Sequence, residues 1–258
     1  MSDNILDGLK YARSTGQKKI GILIDPDKIL VSEIKAIVHQ IESAGVDYIL
    51  LGGSLLTKSG FQEIATALKK QLNIPLLLFP STTYQLTEHA DAVLFLSLIS
   101  GRNAELLIGK QVEATPLLRD LAIEIIPTGY LLIDGGVATT ASYISNTSPI
   151  PNNKPEIAAT TALAGQYLGL QLMYLDAGSG ASVCVPSNMI KKVRHTCDTP
   201  IIVGGGIRTP EQAYQASLAG ADLVIIGTAF EEDANILNAM VKAVKKASTF
   251  TQAEIFHD

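Results

Sequence analysis

Four short stretches of this chain carry residue types that can hold phosphate or move a proton. In YLDAGSGA, Tyr174 to Ala181, a lone carboxylate, Asp176, heads a turn of small residues. Such a carboxylate can serve as general base toward a substrate hydroxyl, and the backbone N–H groups of the turn can line an anion. The same glycines also suit an ordinary turn that needs positive φ. In IIVGGGIRTPEQAYQASLAGADLVIIGTAF, Ile201 to Phe230, Gly205 and Gly206 let a ligand approach the main chain because no Cβ intervenes. Gly227 and Thr228 open a following helix whose free N–H groups and dipole favour an anion. Arg208 either adds charge to that phosphate or is a solvated helix-start residue. Asp25, in DPDK, reads as a Mg2+ ligand or as a helix-capping Asp. Ser54, after two glycines in GGSLL, reads as a member of a metal shell or as an N-cap.

The elements that must position these residues are alternating strands and helices. Strands are expected at Ile20 to Ile24, Asp47 to Leu51, Pro75 to Phe79, Asp91 to Leu98, Ile123 to Ile126, Leu170 to Leu175, Ile201 to Val203 and Leu223 to Ile226. Helices are expected over Ser32 to Ser43, Gly60 to Gln71, from Ala104, near Ser187 to His195, Pro210 to Ala219 and Asp233 to Lys246. Asn4 to Ser14, apolar at Ile5, Leu6, Leu9 and Ala12, suits an amphipathic helix under the barrel's N-terminal end. The link from Pro80 to Ala90 is too short for a crossover helix, so the third βα unit is degenerate. Pro127 to Pro155 reads as a long irregular region covering the site, with an extra strand at Tyr130 to Ile133.

Eight strands spaced by about one βα unit give a (β/α)8 TIM barrel, a single domain over residues 1–258. A doubly wound open sheet is the alternative, but no GxGxxG opens the first unit. In a barrel, Asp25, Ser54, Ser81, Asp176 and Thr228 all fall directly after strands, on the rim where chemistry gathers, and the last two strands commonly carry a phosphate.

Composition agrees with this architecture. Of 258 residues 47% are hydrophobic and 17% charged, as expected when parallel strands are buried on both faces. A net charge of −5 and an isoelectric point near 5.4 give no nucleic-acid footprint. Cys184 and Cys197 have no metal-ligand spacing with the histidines, and no signal-peptide pattern favours a disulfide. The expected compartment is reducing and cytoplasmic. Ala158 to Leu175 is uncharged, but Gly169 splits it into a helical part and a strand, short of a membrane span. His39, His89 and His195 read as structural, and Lys242, Lys245 and Lys246 as a solvated helix face.

DPDK, GGSLL, YLDAGSG, VGGGIRTPEQA and AGADLVIIGT occur in the order found in geranylgeranylglyceryl phosphate synthases, also called phosphoglycerol geranylgeranyltransferases. From about Ile20 to Phe230 the chain resembles that family. The resemblance implies a prenyltransferase that joins sn-glycerol 1-phosphate to a polyprenyl diphosphate, geranylgeranyl first, through an ether bond with release of diphosphate. It implies that Asp25 and Ser54 hold Mg2+, and that glycerol 1-phosphate is bound by Tyr174, Leu175, Asp176, Ala177, Gly178, Ser179, Gly180, Gly205, Gly206, Gly227 and Thr228. Asp176 is the implied base; many relatives carry Glu there, one carbon longer. The prenyl tail is placed in an apolar groove around the degenerate third unit. A homo-oligomer and transient contact with a membrane surface are also implied. Another phosphate-binding barrel, a lyase or FMN oxidoreductase, and a non-catalytic phosphometabolite-binding protein are the competing readings.

Overall fold

Apolar parallel strands bury both sides either as an open sheet with helices on both faces or by closing on themselves and being wrapped by helices, and this chain takes the second course. The computed structural model describes residues 4–249, so the ends of the expected domain lie outside the described residues. Its strands are β1 (Lys19–Ile24), β2 (Tyr48–Leu51), β3 (Leu76–Leu78), β4 (Ala92–Leu98), β5 (Glu124–Leu132), β6 (Leu172–Asp176), β7 (Ile201–Gly204) and β8 (Leu223–Ile226). They form a closed parallel barrel in sequence order, β8 pairing back onto β1 with Lys19 opposite Leu223. Leu50, Leu77, Leu94, Leu172, Ile202 and Ile225 fill the interior. Their neighbours Ile49, Leu51, Leu78, Val93, Met173 and Val224 belong to the shell between strands and helices.

The helices are α1 (Ile5–Ser14), α2 (Ile34–Ala44), α3 (Phe61–Lys69), α4 (Lys110–Arg119), α5 (Thr140–Ser145), α6 (Pro155–Tyr167), α7 (Ser187–Thr196), α8 (Pro210–Leu218), α9 (Thr228–Glu232) and α10 (Leu237–Lys246). α1 lies under the barrel floor as expected: Ile5, Leu6 and Leu9 pack on interior residues. Asn4 caps it, and Glu124 at the start of β5 accepts the Ile5 N–H at 2.6 Å and the Leu6 N–H at 3.1 Å. The third unit is degenerate, as its length requires: Thr83–Gln85 is a single 3-10 turn. The wholly buried Gln85 holds it in place by donating to the Gly53 carbonyl at 2.9 Å. Among the described residues no helix is long and apolar enough to cross a membrane.

Two expectations are corrected. The fifth strand does not stop at Ile126; it runs on through Leu132 and absorbs the separate strand expected at Tyr130 to Ile133. Pro127 looked like a breaker, yet it sits in register opposite Phe95 and its carbonyl accepts the Gln171 N–H at 2.9 Å. The long region after it is correspondingly shorter and more regular, with Ile133 bridged to Ile150 and two helices before β6. The second correction concerns Lys245, which is not merely solvated: its Nζ lies 2.5 Å from Asp47.

That ion pair is one of three alike. Asp47, Asp91 and Asp222, each just before a strand, accept the N–H of Ile20, Leu76 and Ile201 at 2.8 to 2.9 Å on the preceding strand. Each carboxylate also meets a cation, Lys245, Lys69 or Arg194, at 2.5 Å. The floor of the barrel is thus stapled by acids on loops that enter β2, β4 and β8. The Asp222–Arg194 pair is the most buried, at 3% and 10% exposure, against 33% and 37% for Asp91 and Lys69. Asp222→Ala should therefore lower stability by about 3–5 kcal/mol, because it strands a buried guanidinium, and Asp91→Ala by clearly less. Urea denaturation of both variants checks this; equal losses would remove the burial argument.

Candidate active site

At the C-terminal rim, β6, β7 and β8 end around a cavity of about 40 Å³ lined by Tyr174, Asp176, Ser179, Gly180, Gly205, Gly206, Arg208, Gly227 and Thr228, with Leu23, Ile207 and Ile225. Strand parity decides which family-implied residues reach it. Tyr174 and Asp176 point inward; Leu175 and Ala177 point into the helix-facing shell, so only their main chain is near the site. Gly178 is buried and gives its N–H to Asp176 rather than to the cavity. Gly205 and Gly206 adopt φ of +78° and +69°. A Cβ on Gly205 would lie 2.5 Å from Asp176 Oδ1, so only glycine allows this turn to close on the carboxylate. The helix that Gly227 and Thr228 open is short: α9 has five residues and carries two acids, Glu231 and Glu232.

Asp176 is the last residue of β6, not a loop residue, and its side chain is buried. Its Oδ2 accepts the Tyr130 hydroxyl at 2.6 Å and its Oδ1 the Gly178 N–H at 2.7 Å. Burial pushes the carboxyl above its ordinary value, while the Tyr130 hydroxyl and the Gly178 N–H pull the other way. Each carboxylate oxygen keeps a further lone pair. A hydroxyl in the cavity would meet a base more basic than a solvated Asp.

The loops that carry Asp25 and Ser54 are joined by a different device. Asp27 binds across to the next loop, accepting the Thr57 N–H at 2.6 Å and the Thr57 hydroxyl at 2.8 Å. This draws the loop after β2 onto the loop after β1. A Cβ on Gly53, the residue before Ser54, would come within 3.3 Å of Asp25 Oδ1. Asp25 Oδ1 caps the turn Pro26–Lys28 by accepting the Asp27 N–H at 3.0 Å, so the capping reading is correct for that oxygen. Oδ2 faces Lys28 Nζ at 3.8 Å. Burial raises the Asp25 carboxyl above its ordinary value; the Asp27 N–H and Lys28 only partly oppose this. Among the described residues no three His, Cys, Asp or Glu side chains gather as a metal cage. A carboxylate against Gly53, with the serine next in the chain, offers hard oxygen donors of the kind that fit Mg2+ taking the rest of its shell from phosphate oxygens and water.

Beside Ser54 opens a larger cavity, about 180 Å³, walled by Phe79, Pro80, Leu96, Leu98, Leu106, Tyr130, Ala141 and Ile144. A smaller one of about 60 Å³ continues it past Pro80, Leu86, Phe95 and Leu118. This is the region of the degenerate third unit, and the strand residues of the larger cavity, Leu96, Leu98 and Tyr130, belong to the inward side of the barrel. Between the two cavity systems stand Phe79, Tyr130 and Tyr174, whose rings meet at 5.1 to 5.8 Å between centroids. Sequence reasoning assigned no role to Phe79 or Tyr130. The signal for Tyr130 was its even spacing from Leu132 in YLLI, legible only once β5 is continued through Pro127.

Fold and site together define a phosphate-handling (β/α)8 barrel with a buried carboxylate set between a small polar cavity and an apolar groove. The profile of the PcrB family matches residues 14–248. The chain belongs to that family and to the geranylgeranylglyceryl phosphate synthases within it. It is 45% identical to the geranylgeranylglyceryl phosphate synthase of Spirosoma linguale over 92% of this chain and 96% of that one. It is 40% identical to that of Methanothermobacter marburgensis, over 86% and 90%. Its fold superimposes, with a TM-score of 0.88 and 34% identity over 94% and 99% of the chains, on the crystal structure of (S)-3-O-geranylgeranylglyceryl phosphate synthase from Thermoplasma acidophilum in complex with substrate sn-glycerol-1-phosphate.

The Tyr130–Asp176 bond sets a pH dependence. Removing a hydrogen bond that favours the ionised form raises the acid's pKa further. In Tyr130→Phe, the acid limb of kcat/KM for the phosphorylated acceptor should therefore move to higher pH, the ring itself being kept. A limb unmoved or shifted down would show that this hydroxyl does not tune the base. Because the native Asp176 holds its proton to higher pH than the unfolded chain, ionising it costs stability as pH rises through the ordinary carboxylate range. Asp176→Asn should flatten that part of a stability–pH curve.

Proposed function

We propose that this protein is a prenyltransferase that joins sn-glycerol 1-phosphate to a polyprenyl diphosphate, geranylgeranyl diphosphate being the first choice of donor. The observation that carries the reading is the position of Asp176: buried, doubly hydrogen-bonded, and lining a phosphate-sized cavity next to an apolar groove. Its relatives' names and the ligand of the Thermoplasma enzyme agree with it.

In this reading the glycine turns at Gly205–Gly206 and Gly227–Thr228, with Ser179 and Gly180, hold the acceptor phosphate. Asp176 takes the proton of the acceptor hydroxyl as its oxygen attacks the allylic carbon of the donor. The carbon–oxygen bond to diphosphate breaks, diphosphate leaves with the bonding pair, and an ether bond remains. Tyr130 positions Asp176 through its hydroxyl. The faces of Phe79, Tyr130 and Tyr174 give electron-rich surface where positive charge develops on the allylic carbon. Asp25 and Ser54 would hold Mg2+, which supplies neutralisation of the departing diphosphate. The prenyl tail lies in the apolar groove beside the degenerate third unit. A cytoplasmic homo-oligomer, each subunit one barrel domain, with brief contact at the membrane surface completes the proposal. Ile108 and Val112, exposed beside the groove, support such contact. No particular feature favours a lyase, an FMN oxidoreductase or a non-catalytic binder.

Incubation with labelled sn-glycerol 1-phosphate, Mg2+ and prenyl diphosphates of several lengths should yield organic-extractable product. None with any donor would end the proposal. Asp176→Asn should then lower turnover by roughly 10²–10⁴-fold, and chelation by EDTA should abolish it. Unaffected rates under EDTA would remove the metal assignment to Asp25 and Ser54.

A further inference from the structure

We propose that Arg208 is the phosphate-binding side chain of the acceptor cavity, kept beside it by Glu232 until substrate arrives. The inference rests on the reading of that cavity as the acceptor site. Two facts about its wall motivate it. Asp176 is the acidic side chain that lines the cavity, and among its described lining residues Arg208 is the only basic one. A phosphate dianion placed beside an ionised Asp176 would face repulsion that main-chain N–H dipoles offset only in part. A cation lining the same cavity corrects this.

The local structure fixes the base of the arginine and leaves its end able to move. The Arg208 N–H donates to Gln212 Oε1 at 2.7 Å and the Thr209 N–H to the same oxygen at 3.1 Å, so the turn entering α8 is clamped. The guanidinium, by contrast, meets both oxygens of Glu232 at 3.3 Å, with the two side chains 41% and 60% exposed. An exposed pair of that length is a weak hold. A phosphate presents the planar, bidentate acceptor that a guanidinium prefers. The neighbouring acid, Glu231, binds Lys28 at 2.6 Å, and Lys28 also faces Asp25. Successive carboxylates of α9 therefore sort the rim cations, Lys28 to the Asp25 side and Arg208 to the glycine turns.

The test uses the full chain and calorimetric titration with inorganic phosphate and with sn-glycerol 1-phosphate, beside steady-state kinetics. Arg208→Gln should weaken both phosphate ligands by about 10–100-fold, the range for a charged hydrogen bond. The kinetic loss should fall on KM for the acceptor and not on KM for the prenyl diphosphate. Arg208→Lys should recover part of the affinity, and Glu232→Gln should bind phosphate as tightly as the parent or more so. Arg208→Gln within twofold of the parent for both ligands would overturn the inference, as would no phosphate binding by the parent. The two proposals separate cleanly. Ether lipid formed with an unchanged acceptor KM in Arg208→Gln sinks this one alone. Arg208-dependent phosphate binding without any ether lipid supports this one and sinks the prenyltransferase reading.

Discussion

The site depends on one buried hydrogen bond between adjacent strands, from the Tyr130 hydroxyl on β5 to Asp176 on β6. A buried carboxylate is costly unless it is partnered, and this one has its two partners in the next strand and in its own following turn. That arrangement sets the end of β6, the closeness of the Gly205 turn and the orientation of the carboxylate together. It also explains why the aromatic cluster lies between the two cavities. Tyr130 must stand inward to reach Asp176, and Phe79 and Tyr174 pack against it.

The two ends of the barrel use acids in opposite ways. On the floor, Asp47, Asp91 and Asp222 are consumed by strand N–H groups and by cations, so they hold the loops and leave nothing for a ligand. At the rim, Asp25 and Asp176 are only partly matched, and burial leaves both harder to ionise than a free carboxyl. Such mismatch is tolerated where a ligand supplies the missing partner. The same contrast separates Asp25 from Asp27 two residues on, since Asp27 is committed to holding Thr57 and Lys58.

The defect in the third unit has a complementary use. Omitting a helix between β3 and β4 leaves Phe95 half-buried beside the smaller cavity, while Leu76, Leu78 and Val93 on the same outer side stay fully buried. The buried Gln85 and Ser81 tie the short link back to Gly53, at 2.9 and 2.8 Å, so the gap stays open without loosening the loop that carries Ser54. A groove of this kind sits well beside a polar rim: one end of a lipid substrate is charged and the rest is not.

The sequence alone determined an eight-strand parallel α/β architecture, because buried parallel strands must be written as continuous apolar runs with turn residues between them, while closure rests on the pairing of β8 with β1. It also determined the glycine turn after β7, since Gly205 and Gly206 are required by backbone geometry that other residues strain to adopt. The degenerate unit was legible as a length too short for a helix. What needed the tertiary structure was every relation across strands. The continuation of β5 through Pro127 depends on partners in β4 and β6, which local breaker rules do not see. The separation of Tyr174 and Asp176 from Leu175 and Ala177 depends on which side of the strand faces the axis. The partners of Asp176 and Arg208 lie 46 and 24 residues away, and the loop of Asp25 is tied through Asp27 to Thr57, 30 residues on. Chain spacing carries no record of such pairings, because they arise only when barrel closure brings the strand ends onto one rim.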